Sequence, residues 1–139
     1  MEVIQSKINY ICDYHNGPAK VEILVNDKSV HKFMAESGEE SFNFTVGPGP
    51  FVFTIKHYGK NMKRDFNRFI EIKKLYFNGI DSKGLIWETI QRAEIPTWQN
   101  VEDFEWRSNL YLGHNAELSY HLSSPIVPFF IQYHQPSRK

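Results

Sequence analysis

The fold is decided by Phe51-Val-Phe-Thr-Ile-Lys-His-Tyr58 and, after a polar loop, by Arg68-Phe-Ile-Glu-Ile-Lys-Lys-Leu-Tyr-Phe-Asn78. In the first run Phe51, Phe53 and Ile55 alternate with Val52, Thr54 and Lys56, the period of a strand with one apolar face. The second run changes phase midway. Ile70 and Ile72 share one face, while Leu75 and Phe77 belong to the other. One extra residue at Lys73-Lys74 would bring all four inward, so a β-bulge is expected there.

The same period extends outward on both sides. Gly47-Pro48-Gly49-Pro50 is a corner that neither a helix nor a central strand is expected to include. Before it, Phe42, Phe44 and Val46 form one inward face and Val21, Ile23 and Val25 another, with Leu24 opposite. Asn26-Asp27-Lys28 turns the chain back into Ser29–Ala35 as a hairpin. A first strand carries Ile8, Tyr10, Cys12 and Tyr14. Downstream, Asn78-Gly79-Ile80-Asp81 reads as a turn, Ile86 to Gln91 as a strand, and Leu110-Tyr111-Leu112 as a short strand. Leu118, Tyr120 and Leu122 alternate, and Ile126 to Tyr133 reads as the last strand, with Pro128 at an edge or bulge. Residues 96–109 are the least regular, with one short helical turn expected near Asn100. About ten short strands with turn signals roughly every 8–12 residues argue for an antiparallel sandwich or barrel. The expected core includes Ile23, Val25, Phe42, Phe44, Phe53, Ile55, Ile70, Ile72, Leu75, Phe77, Leu118 and Leu122.

The 139 residues suit one domain, read as 1–139. Sixteen basic residues balance sixteen acidic ones, which removes the electrostatic warrant for a nucleic-acid or membrane-surface partner. No run of apolar residues is long enough to enter a bilayer, and no signal peptide is expected, so synthesis in the cytoplasm follows. The single Cys12 has no partner for an intramolecular disulfide.

The segment 51–79, with its apolar–threonine alternation, its Arg64-Asp65-Phe66-Asn67 loop and its long strand ending in Asn78-Gly79, resembles the calcium-dependent xylan-binding type of carbohydrate-binding module. The hairpin Val21–Phe33 fits that pattern too. Leu110-Tyr-Leu-Gly-His-Asn-Ala116 and Pro125-Ile-Val-Pro-Phe-Phe130 are similar to small proteins of tailed marine phages, although His114 and Ala116 stand where those carry an aromatic residue and a glycine. The resemblance implies an all-β, two-sheet antiparallel jelly-roll-like sandwich. It also implies a non-catalytic, carbohydrate-binding-module-like function, with a place in a virion that meets its host. The partner is then a glycan or another virion protein. The alternative is a structural or assembly protein of a phage particle, itself a homo-oligomer, with the same fold and no sugar site.

The resemblance also implies calcium, with Asp65, Asn67 and Asp81 as ligands. Against it, Ca²⁺ takes six to eight oxygens, and Asn61-Met-Lys-Arg-Asp65-Phe-Asn67 is a cationic loop with one carboxylate. Asp65 pairing with Arg64 or Arg68, or capping its own turn, is the simpler role, and no cofactor is expected. The six histidines show neither an i, i+2 strand pair nor an i, i+4 helix pair. His57 is the one to examine, and the other imidazoles are expected mostly on polar faces. Cys12 reads as a small buried filler. Glu88, Glu94, Glu102, Asp103 and Glu105 offer carboxylates but no cleft, and no catalysis is expected.

The aromatic residues are the stronger lead: three Trp, seven Tyr and eleven Phe. A ring offers a flat π face on which the C–H face of a sugar can stack while polar neighbours bond its hydroxyls. Trp98, Trp106 and Tyr111 lie close together in sequence with Asn100 and Arg107, and Trp87 points away from Ile86 and Ile90. These rings either close the end of the core, form a ligand platform, or cover a subunit interface.

Overall fold

The computed structural model describes residues 1–13, 18–59, 69–83, 90–93, 104–107, 110–112 and 115–134, with the backbone alone at 13, 90–93, 104–107, 111 and 133–134. The strands are β1 (Glu2–Asp13), β2 (Ala19–Val25), β3 (Lys28–Ala35), β4 (Glu39–Val46), β5 (Gly49–Tyr58) and β6 (Phe69–Phe77). They continue as β7 (Ile80–Asp81), β8 (Ile90–Ala93), β9 (Phe104–Arg107), β10 (Tyr111–Leu112) and β11 (Ala116–Ser124), and a helix α1 (Ile126–His134) follows. One antiparallel sheet runs β10-β6-β1-β4, with β7 also paired to β6, and the other runs β3-β2-β5-β11-β8-β9. The chain is an all-β, two-sheet antiparallel sandwich of jelly-roll type.

Period-2 alternation builds the space between the sheets. Every residue of the expected core is buried. Phe53 of β5 is at its centre. Its ring meets Phe77 of the opposite sheet edge-on at 5.0 Å and stacks on Phe42 of β4 at 6.2 Å. Offset and edge-on geometries of this kind add to the gain from removing each ring from water.

The bulge is where the phase change in the sequence requires it. Asn9 of β1 pairs with Lys74 and the next residue, Tyr10, with Ile72, so Lys73 is the extra residue. Lys73 and Lys74 are both exposed, while Ile70, Ile72, Leu75 and Phe77 all face the core.

Both two-residue hairpins use the backbone that their sequences favour. Asn26 and Asp27 (φ 50° and 66°) join β2 to β3, and Asn78 and Gly79 (φ 50° and 80°) join β6 to β7. Positive φ at both central residues matches the twist of the flanking strands. A Cβ added at Gly79 meets nothing within 4 Å. Gly79→Ala is therefore expected to cost about 1 kcal/mol through backbone conformation alone. Gly47→Ala, at a position with ordinary φ and equally open space, is expected to stay within about 0.5 kcal/mol. Urea denaturation of the two variants checks the contrast.

Three expectations are corrected. Ile126 to Tyr133 lies in a helix, not a strand: Ile126 and Phe130, four apart, are buried, while Val127 and Ile131 are exposed. Pro128 fits because the amide it lacks belongs to the first turn, where the N–H groups have no intrahelical partner. Glu2 supplies that end, its carboxylate accepting from Ile126 N–H at 3.0 Å and from the Ser124 hydroxyl at 2.6 Å. Residues 104–107, read as irregular, form β9 against β8. Gly49 and Pro50 belong to β5, which is central. Proline is tolerated there because β2 pairs with β5 only as far as Phe53, leaving that edge of Pro50 without a strand. The helical turn expected near Asn100 and the strand expected at 86–89 fall outside the described residues.

Candidate binding site

One flank of the sandwich is closed by β3 against β4, where the His31 ring stacks on Phe42 at 4.9 Å. On the other flank lie the short edge strands, and there β6 is incompletely covered. β10 pairs with Ile70 and Glu71 and β7 with Tyr76 and Phe77, so among the described residues no strand pairs with the outer edge of 72–75. The backbone is nevertheless tied at both ends of this gap. Ile72 N–H donates to the Leu110 carbonyl at 3.0 Å. The Leu75 carbonyl accepts from Ser82 N–H at 2.9 Å and from the Ser82 hydroxyl at 2.8 Å. The bulged pair Lys73-Lys74 spans the opening between these ties.

Behind the opening is a cavity of about 340 Å³, within the range of small-ligand sites. Ile72, Leu75 and Leu110 give it an apolar wall, and Tyr120 reaches it from the facing sheet. Tyr120 is 3% exposed. Burial pushes its phenol well above the usual tyrosine range, so the ring presents a neutral O–H. Among the described residues that hydroxyl has no hydrogen-bond partner. At the mouth stand Lys73, Lys74, Lys83 and Asp81.

His57 holds this flank together. It is fully buried, an exception to the expectation of imidazoles on polar faces. Its Nδ1–H donates to the Leu112 carbonyl at 3.0 Å, joining β5 of one sheet to β10 of the other. His57→Leu is expected to cost about 1–3 kcal/mol by stranding that carbonyl. It should also speed hydrogen exchange in β10 more than in β1, which measurement of single amides would detect.

Two further grooves lie on the outer faces of the sheets. One, of about 530 Å³, runs past Gln5, Ser41, Asn43 and Tyr76 on the five-stranded sheet. The face of its one aromatic ring is taken: Lys7 Nζ sits 5.7 Å over the Tyr76 centroid and 2.9 Å from Glu39. The hydrogen bond and charge of Glu39 raise the Lys7 pKa. The other, of about 360 Å³, runs past Thr54, Glu117, Ser119 and His121 and has no Trp, Tyr or Phe among its described lining. Of these three openings, as lined by the described residues, the flank cavity is the one that combines an apolar wall with the hydroxyl of a buried tyrosine.

Of the residues singled out in the sequence, Asp81 stands at the mouth and Tyr111 follows Leu110 in β10 beside it. Trp106 and Arg107 lie in β9, the edge strand of the other sheet on the same flank. Trp106 pairs with Gln91, itself paired with Leu118, and Arg107 with Ile90, paired with Ser119. Trp87, Trp98, Asn100, Asp65 and Asn67 lie outside the described residues, as do Glu88, Glu94, Glu102 and Asp103. One oxygen of Asp81 is already engaged, Oδ1 accepting from Lys83 N–H at 2.9 Å. Among the described residues no three His, Cys, Asp or Glu side chains come together, and Asp81 alone does not make a calcium site. Cys12 is half-buried against the core, its thiol 3.2 Å from the Ala35 carbonyl. Lys73, Lys74, Lys83 and Tyr120 were not singled out as site residues. The bulge was the available signal, because it places two consecutive lysines on one side of an edge.

No family model matches the chain, and no curated protein matches it. Solved structures do. One, described as vCBM60 in complex with galactobiose, superposes with a TM-score of 0.55 at 12% identity, covering 86% of this chain and 97% of that one. Another, the selenomethionine form of vCBM60, gives 0.57 at 12% identity over 84% and 89%. It is described as showing that circular permutation links two families of calcium-dependent carbohydrate-binding modules. At this identity the likeness is one of fold, and it extends over most of both chains: this sandwich is built as those carbohydrate-binding modules are built.

Proposed function

We propose that the protein is a non-catalytic glycan-binding module and that the opening beside β6 is its binding site. The observation that carries this reading is the flank cavity itself, with an apolar wall for the C–H face of a sugar ring and the Tyr120 hydroxyl for one of its oxygens. The shared fold with carbohydrate-binding modules supports it. Nothing here requires a bond to break: the site holds, orients and partly dehydrates a sugar. Tyr111 in β10 and Trp106 in β9 belong to edge strands on the same flank.

A polysaccharide panel on the intact chain tests this. At least one glycan is expected to bind and to be recovered uncleaved. Tyr120→Phe, which keeps the ring and the core packing, is expected to weaken that binding several-fold with its unfolding midpoint nearly unchanged. Undiminished binding by Tyr120→Phe would move the site elsewhere, and silence across the panel would refute the function. Binding is expected to persist in EDTA, because Asp81 alone among the described residues stands as a candidate calcium ligand. Loss of binding in EDTA, restored by Ca²⁺, would instead bring in Asp65 and Asn67.

A further inference from the structure

The mouth of the cavity is cationic in a protein whose formal net charge is zero. Lys73, Lys74 and Lys83 are all exposed there. The bulge is the cause for the first two, since regular alternation would put one of a consecutive pair inward, whereas the extra residue leaves both on the solvent side. Of the three, Lys73 alone is paired with a carboxylate among the described residues. Lys73 Nζ is 3.5 Å from Glu71. Asp81 is turned to the Lys83 backbone amide. Lys74 and Lys83 have no carboxylate partner among the described residues. Two uncommitted ammonium groups therefore flank an apolar wall with a neutral hydroxyl behind it.

Resting on the glycan-binding reading above, we infer that this site selects acidic sugars, uronate-containing glycans, over neutral ones. A uronic acid matches each part of the site. Its ring C–H face lies on Leu110, Ile72 and Leu75, and one ring hydroxyl meets Tyr120. Its carboxylate, carried outside the ring at C5, reaches the ammonium groups of Lys74 and Lys83. Charge-assisted hydrogen bonds of this kind are about twice as strong as neutral ones. A neutral hexose leaves both cations solvated and gains nothing from them, so the selectivity comes from the carboxylate alone.

The test is calorimetric titration of the intact chain with trigalacturonate and with its carboxyl-reduced counterpart, trigalactose, alongside the polysaccharide panel. Trigalacturonate is expected to bind about tenfold tighter than trigalactose, and the preference should shrink as salt rises. The double variant Lys74→Ala/Lys83→Ala, at two exposed positions, should bring the two affinities together by weakening trigalacturonate binding about tenfold more than trigalactose binding. Equal binding of the two probes, or a preference that survives the double variant, would overturn the acidic selectivity and leave the glycan reading standing. Binding confined to neutral glycans of the panel would do the same. Failure of every glycan would remove both.

Discussion

Phe53→Ala is expected to lose about 3–5 kcal/mol of folding stability, a large part of what a domain of this size possesses. The ring is fully buried and lies within 6.3 Å of Phe42, Phe44, Phe77 and Tyr120, the first three in the opposite sheet and Tyr120 on the neighbouring strand of its own. Truncation leaves a cavity whose walls are other rings held by strands, and strands paired on both sides cannot collapse inward to fill it. The loss should exceed that of Val25→Ala, a smaller side chain at the margin of the same core and 7% exposed. Equilibrium urea unfolding of both variants measures the difference. A Phe53→Ala loss below about 1.5 kcal/mol would mean that the two sheets do not share this aromatic centre.

Deletion of Lys73 and Lys74 together is expected to be more damaging still, although both side chains are exposed. With both gone, Ile72 is followed directly by Leu75, so alternation can keep Ile70 and Ile72 inward or Leu75 and Phe77 inward, but not both, because a one-residue slip turns every side chain to the other face. Either choice exposes two large apolar side chains and turns Tyr76 or Glu71 towards the core. The double-deletion variant is expected to lack a cooperative unfolding transition, while deletion of Lys73 alone, which removes the extra residue and leaves all four apolar side chains in plain alternation against β1, should keep one. Near-ultraviolet circular dichroism during urea titration distinguishes them. A double-deletion variant that unfolds like the parent would show that the register between β1 and β6 carries no energetic weight.

The bulge illustrates what the residues disclose before any coordinates. A phase change between Ile72 and Leu75 is a local fact about four side chains, and period-2 geometry leaves only one way to bury all of them. The Asn26-Asp27 and Asn78-Gly79 turns are equally local, since their backbone conformation is written in residue type. Helix α1 was harder to read. Its short run of apolar residues fits either period, and the residue that caps it, Glu2, is at the other end of the sequence. β9 shows no strong alternation of its own and is recognisable as a strand only through its pairing with β8.

The site was legible in part for the same reason. Asp81 and Tyr111 were singled out by type, and both border the opening beside β6. The cavity itself arises from what strand order brings together: Tyr120 from one sheet, Leu110 from the chain entering β10, and the bulge on β6. Tyr120 in isolation is one more inward residue of an alternating strand. Its hydroxyl becomes informative only when β10 and β7 are seen to stop short of each other along β6.

The most direct test of the account is ¹H–¹⁵N correlation spectroscopy of the intact chain during titration with trigalacturonate and trigalactose. The account predicts amide shifts concentrated at 71–75, 81–83 and 110–112, with the sugar recovered intact at the end. Shifts centred instead on Gln5 and Asn43, or on Thr54 and Ser119, would place recognition on an outer face of the sheets and contradict it.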